Sequence, residues 1–187
     1  MTNHTVETHS GRCVDLVNPK AESICITDIA WSLSRQARFN GHTKGEHPYS
    51  VAQHSIYVAE QVLIATQDRR AAQYALLHDA HEAYMGDIVS PLKWLPRLSH
   101  IVGDVERALQ HAIHEAFGLN PPSERVRAII KLYDMQALAI EAYHLLPSRG
   151  ANWPLPPVDH ELMNEFDGPV LSITAYHRFI SMWERWL

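Results

Sequence analysis

The sequence predicts an all-α fold on three observations: apolar residues recur at helical spacing along most of the chain, helix-start residues precede those stretches, and extended-type alternation is confined to residues 10–19. Residues 10–19 alternate apolar positions and end at Asn18-Pro19, so a short extended segment is expected near the N-terminus. Thr27-Asp28 reads as the cap of a helix over 29–38, with Ile29, Leu33 and Ala37 on one face. A loop over 39–49 carries Gly41, Gly45 and Pro48. Ser50 then caps a helix to about Ala65 whose apolar face includes Val51, Val58, Ala59 and Val62. The next helix runs from Arg69 to about Tyr84 and is broken by Gly86, with 88–91 leading away as a loop. Further helices are expected at about 100–117, 123–146 and 173–186, with an irregular, proline-rich connection over 147–157.

At 187 residues and 46% hydrophobic content, the chain can bury one good core, so a single domain over 1–187 is expected. No uncharged apolar run long enough to span a membrane exists, and the N-terminus lacks the basic-then-apolar pattern of a signal peptide. A cytoplasmic, non-membrane protein is expected. A net charge of −5 argues against long nucleic acid as a partner, so a small anionic ligand would need a local basic pocket. Cys13 and Cys25 are too few for a disulfide framework and read as reduced.

The chemistry concentrates around the adjacent pair His78-Asp79. Alone, such a pair is more often a hydrogen-bonded couple than a metal site. With His54 upstream and Asp134 downstream it forms a nitrogen and oxygen donor set suited to a divalent cation such as Zn, Mn, Fe or Co, without the thiolates of a structural zinc site. Asp134 lies beside the apolar stripe Ile129, Ile130, Tyr133, Ala137, Leu138, where a carboxylate needs a cation; the alternative is a surface pair with Lys131. Glu82 falls three residues after Asp79 and four after His78, the place for a general acid or base. Asp87, beyond the glycine, either supports the site from outside or holds a second metal with Glu82. His81 is expected to point outward or to support the ligands from behind. Arg38, His42 and Lys93 border the cluster and are candidates to clamp phosphate, the alternative for Arg38 and Lys93 being solvated surface charge. Phe39 and Trp31 can stack on a base or fill the core; Trp94, Trp153, Trp183 and Trp186 read as packing residues.

A histidine, a His-Asp pair and a distant aspartate, here His54, His78-Asp79 and Asp134, resemble the signature of the HD-domain metal-dependent phosphohydrolases. The stretches Arg38-Phe39-Asn40-Gly41-His42, Tyr49-Ser50-Val51-Ala52-Gln53-His54, Leu77-His78-Asp79-Ala80-His81-Glu82-Ala83-Tyr84 and Asp87-Ile88-Val89-Ser90-Pro91-Leu92-Lys93 are similar to the phage and prophage YfdR-like branch, related to YfbR-type 5'-deoxynucleotidases and the phage dATP triphosphohydrolase DatZ. The resemblance implies an HD-domain helical bundle that removes phosphate from nucleotides and assembles as a homo-oligomer, the Trp183/Trp186 helix being a candidate interface. It implies His54, His78, Asp79 and Asp134 as metal ligands (Co, Mn, Zn, Mg or Fe), Glu82 and Asp87 in catalysis, Arg38 and Lys93 on phosphates, and Phe39, His42 and Pro91 around the sugar and base. YfbR-type enzymes carry tryptophan where this chain has Phe39 and lack a counterpart of its polar 43–47 segment. The resulting expectation is a divalent-metal-dependent phosphohydrolase of (deoxy)nucleotides acting in dNTP metabolism. A non-catalytic nucleotide sensor or partner-binding module and a cyclic-nucleotide phosphodiesterase are the alternatives.

Overall fold

The computed structural model describes residues 4–158, 160–164 and 166–186. An N-terminal antiparallel hairpin comes first, β1 (Thr5–Glu7) paired with β2 (Cys13–Asp15) in the register Val6 opposite Val14. The extended segment thus starts earlier than the 10–19 alternation suggests, because residues 8–12 form its turn: Gly11 sits at φ +80°, where a side chain would be strained, and its N–H bonds Thr8 O.

After a 3-10 turn at Ala21–Ser23 comes α1 (Ile26–Leu33). It begins three residues before the expected start and ends five before the expected end. Asp28 is not its cap; its buried carboxylate accepts from the Thr8 and Ser10 hydroxyls and the Ser10 N–H, and so ties the hairpin to the helix. Residues 38–41 form a kinked 3-10 turn in which Phe39 and Asn40 both adopt left-handed backbone, φ 55° and 53°. Two backbone bonds close the loop that follows, Arg38 N–H to Tyr49 O and Val51 N–H to Gln36 O, and draw Arg38 to the start of the next helix.

That helix, α2 (Val51–Thr66), is capped by Ser50 as anticipated, and Gln53 extends the cap into a capping box. It is the central element: α3, α7 and α9 all pack on it, and ten of its residues are buried, His54 among them. The helix expected over 69–84 is instead α3 (Arg69–Leu76) and α4 (Glu82–Met85), separated by a tight turn at 77–81. Within the turn the amides of His78, Ala80 and Glu82 bond three residues back, and the His78 ring Nδ1 lies 2.7 Å from Ala75 O. That side-chain bond engages a carbonyl near the end of α3 and fixes the ring where the helix stops.

Beyond Gly86, Ser90–Lys93 forms a single helical turn, α5, rather than a loop. Then α6 (Pro96–Ala116) starts at a proline in its first turn, four residues ahead of expectation, because the ring suits that position and lacks only an amide the helix does not use. The remaining helices are α7 (Glu124–Leu145), capped by Ser123, the short α8 (His160–Asn164) and α9 (Ser172–Trp186). One apolar cluster runs from Val14 through Ile29, Leu33, Val58, Leu76, Leu77, Leu109 and Ile113 to Phe179, Trp183 and Trp186. Trp183 and Trp186 therefore pack on their own chain and are not a free interface. The packing expectation fails for Trp94, which is 74% exposed on the short link between α5 and α6, and for Trp153, which is 43% exposed.

Candidate metal centre and its surroundings

His54 from the first turns of α2, His78 from the 77–81 turn and Asp134 from the middle of α7 bring one donor atom each within 4.8 Å of one another, and Asp79, also from the turn, adjoins both rings. His54 Nε2 lies 3.2 Å from His78 Nε2, 3.3 Å from Asp134 Oδ1 and 3.6 Å from Asp79 Oδ2, and His78 Nε2 lies 3.2 Å from Asp79 Oδ2. Donors bonded to one metal at about 2.0–2.2 Å lie roughly 3–3.6 Å from one another.

The hydrogen bonds behind the rings test whether a metal fits. His54 Nδ1 lies 2.7 Å from Glu141 Oε1 and His78 Nδ1 2.7 Å from Ala75 O; an ionised carboxylate and a carbonyl can only accept, so both Nδ1 atoms carry protons. In the neutral rings both Nε2 lone pairs then face one another and two carboxylates. Such a convergence of lone pairs and negative charge needs a positive centre within it, and the nitrogen and oxygen donor set fits a divalent metal ion. Without one, protons serve: burial and Arg38 lower the His54 pKa, but Glu141 and Asp134 outweigh them and raise it to about 10. Burial raises Asp79 and Asp134, and the histidines overcome it, His78 acting first on Asp79 and His54 on Asp134, so both carboxyls lie well below their ordinary range. Asp134 also satisfies its bland alternative, since its other oxygen Oδ2 takes Lys131 Nζ at 2.8 Å. One carboxylate serves both the buried side and the surface.

Glu82 opens α4 with its side chain turned back to the cluster, and Asp79, His81 and Glu82 bring one donor atom each within 4.8 Å of the others. Among the described residues this trio is the second group of metal-type donors, and it adds Asp79 and His81 to Glu82 as groups that could hold a second ion. Glu82 Oε2 is buried and meets no hydrogen-bond partner among the described residues. Burial, then Asp79 and Asp87, raise the Glu82 pKa to about 9 against the opposing pull of Arg38 and Lys93. Asp87 follows Gly86 and is itself raised, first by burial, with Arg38 opposing. His81 is buried rather than outward: Nδ1 lies 3.3 Å from Gln110 Oε1 and Nε2 3.7 Å from Glu106 Oε1.

The basic residues are each held by a carboxylate. Arg38 donates through Nε and Nη2 to Glu141 Oε2 at 3.1 and 3.0 Å, and Lys93 Nζ lies 2.8 Å from Glu106 Oε1 and 3.8 Å from Glu82 Oε1. Lys93 and, ahead of it, His81 hold the Glu106 carboxyl down to about 2. Phe39 is half-buried, its ring 6.1 Å from that of Trp153, while His42 and Pro91 are exposed. Trp31 stacks on His9 and under Arg35 beside the hairpin.

Two residues of this constellation escape the sequence reading, Glu141 and Glu106. Glu141 leaves a trace: it follows Asp134 by seven positions, two helical turns along the same face of α7. Glu106 leaves none, because its partners Lys93 and His81 belong to other elements.

The chain is similar to known proteins over the stretch that carries these residues. Residues 29–136, which span the stretch from α1 to Asp134, match the family described as 5'-deoxynucleotidase YfbR-like. An uncharacterized protein of Rhodobacter capsulatus is 39% identical over 137 residues, covering 71% of this chain and 68% of that protein. The uncharacterized protein YfdR of Escherichia coli is 36% identical over 150 residues, covering 80% of this chain and 77% of YfdR.

Proposed function

Because this chain belongs to the 5'-deoxynucleotidase YfbR-like family, within the HD-domain superfamily, we propose that it is a divalent-metal-dependent phosphohydrolase of (deoxy)nucleotides. The observation that carries the proposal is the pair of imidazole Nε2 atoms, each fixed from behind through Nδ1, aimed with two carboxylates at one point beside a protonatable Glu82. His54, His78, Asp79 and Asp134 would hold the cation. A divalent ion there supplies Lewis acidity towards water and towards a phosphoryl oxygen.

Glu82 manages the proton. As water adds to phosphorus and the bond to the leaving oxygen breaks, one proton must leave the water and one must reach the leaving group. A carboxyl that is buried, next to Asp79 and Asp87 and without a fixed partner on Oε2 suits that exchange. Asp87 supports it through its charge. Arg38 and Lys93 oppose the charge that develops on the phosphoryl oxygens. Phe39, His42 and Pro91 lie on the segments bordering these cations and would meet the sugar and base. The family's description and the motif resemblance to phage dATP triphosphohydrolases read from the sequence favour two reaction types, a 5'-nucleotidase and a di- or triphosphohydrolase.

Incubation of the purified protein with the common ribo- and deoxynucleotides and cyclic AMP, with Co, Mn or Mg, and chromatography of the products distinguishes these types and the cyclic-nucleotide alternative. Absence of release from every nucleotide by metal-loaded protein would overturn the proposal.

A further inference from the structure

Glu141 joins the two halves of the site. It is fully buried on α7; Oε1 meets His54 Nδ1 at 2.7 Å, and Oε2 accepts from Nε and Nη2 of Arg38 at 3.0–3.1 Å. A single carboxylate thus fixes the tautomer of one metal donor and the orientation of one guanidinium. No other side chain of the described residues hydrogen-bonds both.

We infer that Glu141 is a positioning residue that sets the metal ligand His54 and the phosphate-facing Arg38 together, so that cation binding and substrate binding share one carboxylate. The inference rests on the metal and phosphate roles proposed above. Its physical basis is that the two partners lie on opposite oxygens of Glu141, so both oxygens must be acceptors at once. A glutamine of the same shape cannot satisfy both. With its oxygen towards His54 it turns an NH2 group to the guanidinium, and with its oxygen towards Arg38 it forces the proton of His54 onto Nε2, the atom that must face the metal.

The test is a Co2+ titration followed by visible absorption, which requires no turnover, alongside KM and kcat on the nucleotide that the wild-type protein hydrolyses. Glu141→Gln is expected to weaken Co2+ binding about 10- to 100-fold and, at saturating Co2+, to raise KM at least about tenfold with a smaller change in kcat. Arg38→Met is expected to raise KM similarly while Co2+ affinity changes less than about threefold, since it removes one arm of the bridge only. Folded Glu141→Gln with Co2+ affinity and KM both within about twofold of wild type would overturn the inference. Loss of only one of the two would overturn the sharing. If the wild-type protein binds no Co2+, the metal reading fails, and this inference with it.

Should Glu141→Gln not fold, 15N spectra of the zinc-loaded wild-type protein decide instead. His54 is expected as the Nδ1–H form, with a resonance that moves in Arg38→Met. A different tautomer or an unmoved resonance overturns the inference.

Discussion

Glu82 is the residue at which position and chemistry separate most cleanly. It shares a cluster with Asp79 and His81 but is not one of the four proposed metal ligands His54, His78, Asp79 and Asp134, so its removal should spare the cation. Glu82→Gln keeps the volume and loses the exchangeable carboxyl proton. The expected result is a fall in kcat of about 10²- to 10⁴-fold with Co2+ affinity preserved, read from steady-state kinetics and visible absorption. A sensor that only binds nucleotide would instead keep its binding response. Asp28 illustrates the opposite case, a buried carboxylate with three hydrogen-bond donors and no place in the reaction. Partners, not burial, distinguish the two.

At the scale of elements, the reading from sequence succeeds where a signal is local. Ser50 announces α2, helical periodicity over 123–146 announces α7, and His54, His78 and Asp134, which the fold brings together, stand out because metal-type donors are rare in apolar surroundings. It fails where a distant group decides. The apolar run Leu76, Leu77, Ala80, Ala83, Tyr84 continues at helical spacing with no glycine or proline before Gly86, so nothing local marks the turn at 77–81 that bends the His-Asp pair into the site. Thr27-Asp28 looks like a cap, yet the Asp28 side chain is taken by Thr8 and Ser10 from the hairpin. Glu141 goes unread because Arg38 lies 103 positions away. The same logic predicts which elements bear stability. Phe179 anchors α9 with its side chain fully buried in the cluster shared with α1, α2 and α3, so Phe179→Ala is expected to destabilise the protein by about 3–5 kcal/mol in urea unfolding. Ser50→Ala, which removes one arm of the capping box, is expected to cost about 1 kcal/mol by the same measurement.

For the whole molecule, a proton-linked change in stability should arise outside the proposed metal donors. His114 on α6 packs edge-on against Tyr74 and bonds Gln110, and burial, aided by His111, lowers its pKa below the ordinary 6.5. The unfolded chain therefore takes up a proton on this ring at a pH where the folded chain does not. By linkage, its contribution to stability is present above pH 6.5 and is lost as the pH falls from there through the folded pKa. Urea unfolding at pH 7.5 and 5.5 is expected to show a larger loss for the wild-type protein than for His114→Gln. An equal loss in both would remove His114 as a cause. No helix among the described residues is long and apolar enough to cross a membrane.

The Glu141 bridge also bears on the order of folding. Its bonds to two partners close chain separations of 87 and 103 residues, whereas α2 and α3 are neighbours in sequence and pack on each other over two residues of connection. Closing long loops carries an entropy cost that local pairing avoids. Three of the four donors precede residue 80, but the fourth, and the carboxylate that orients the first, arrive only with α7. Refolding in the presence of Co2+ should accordingly show helical ellipticity before the cobalt absorption band appears, and a growing chain would carry an open half-site until its second half has been made.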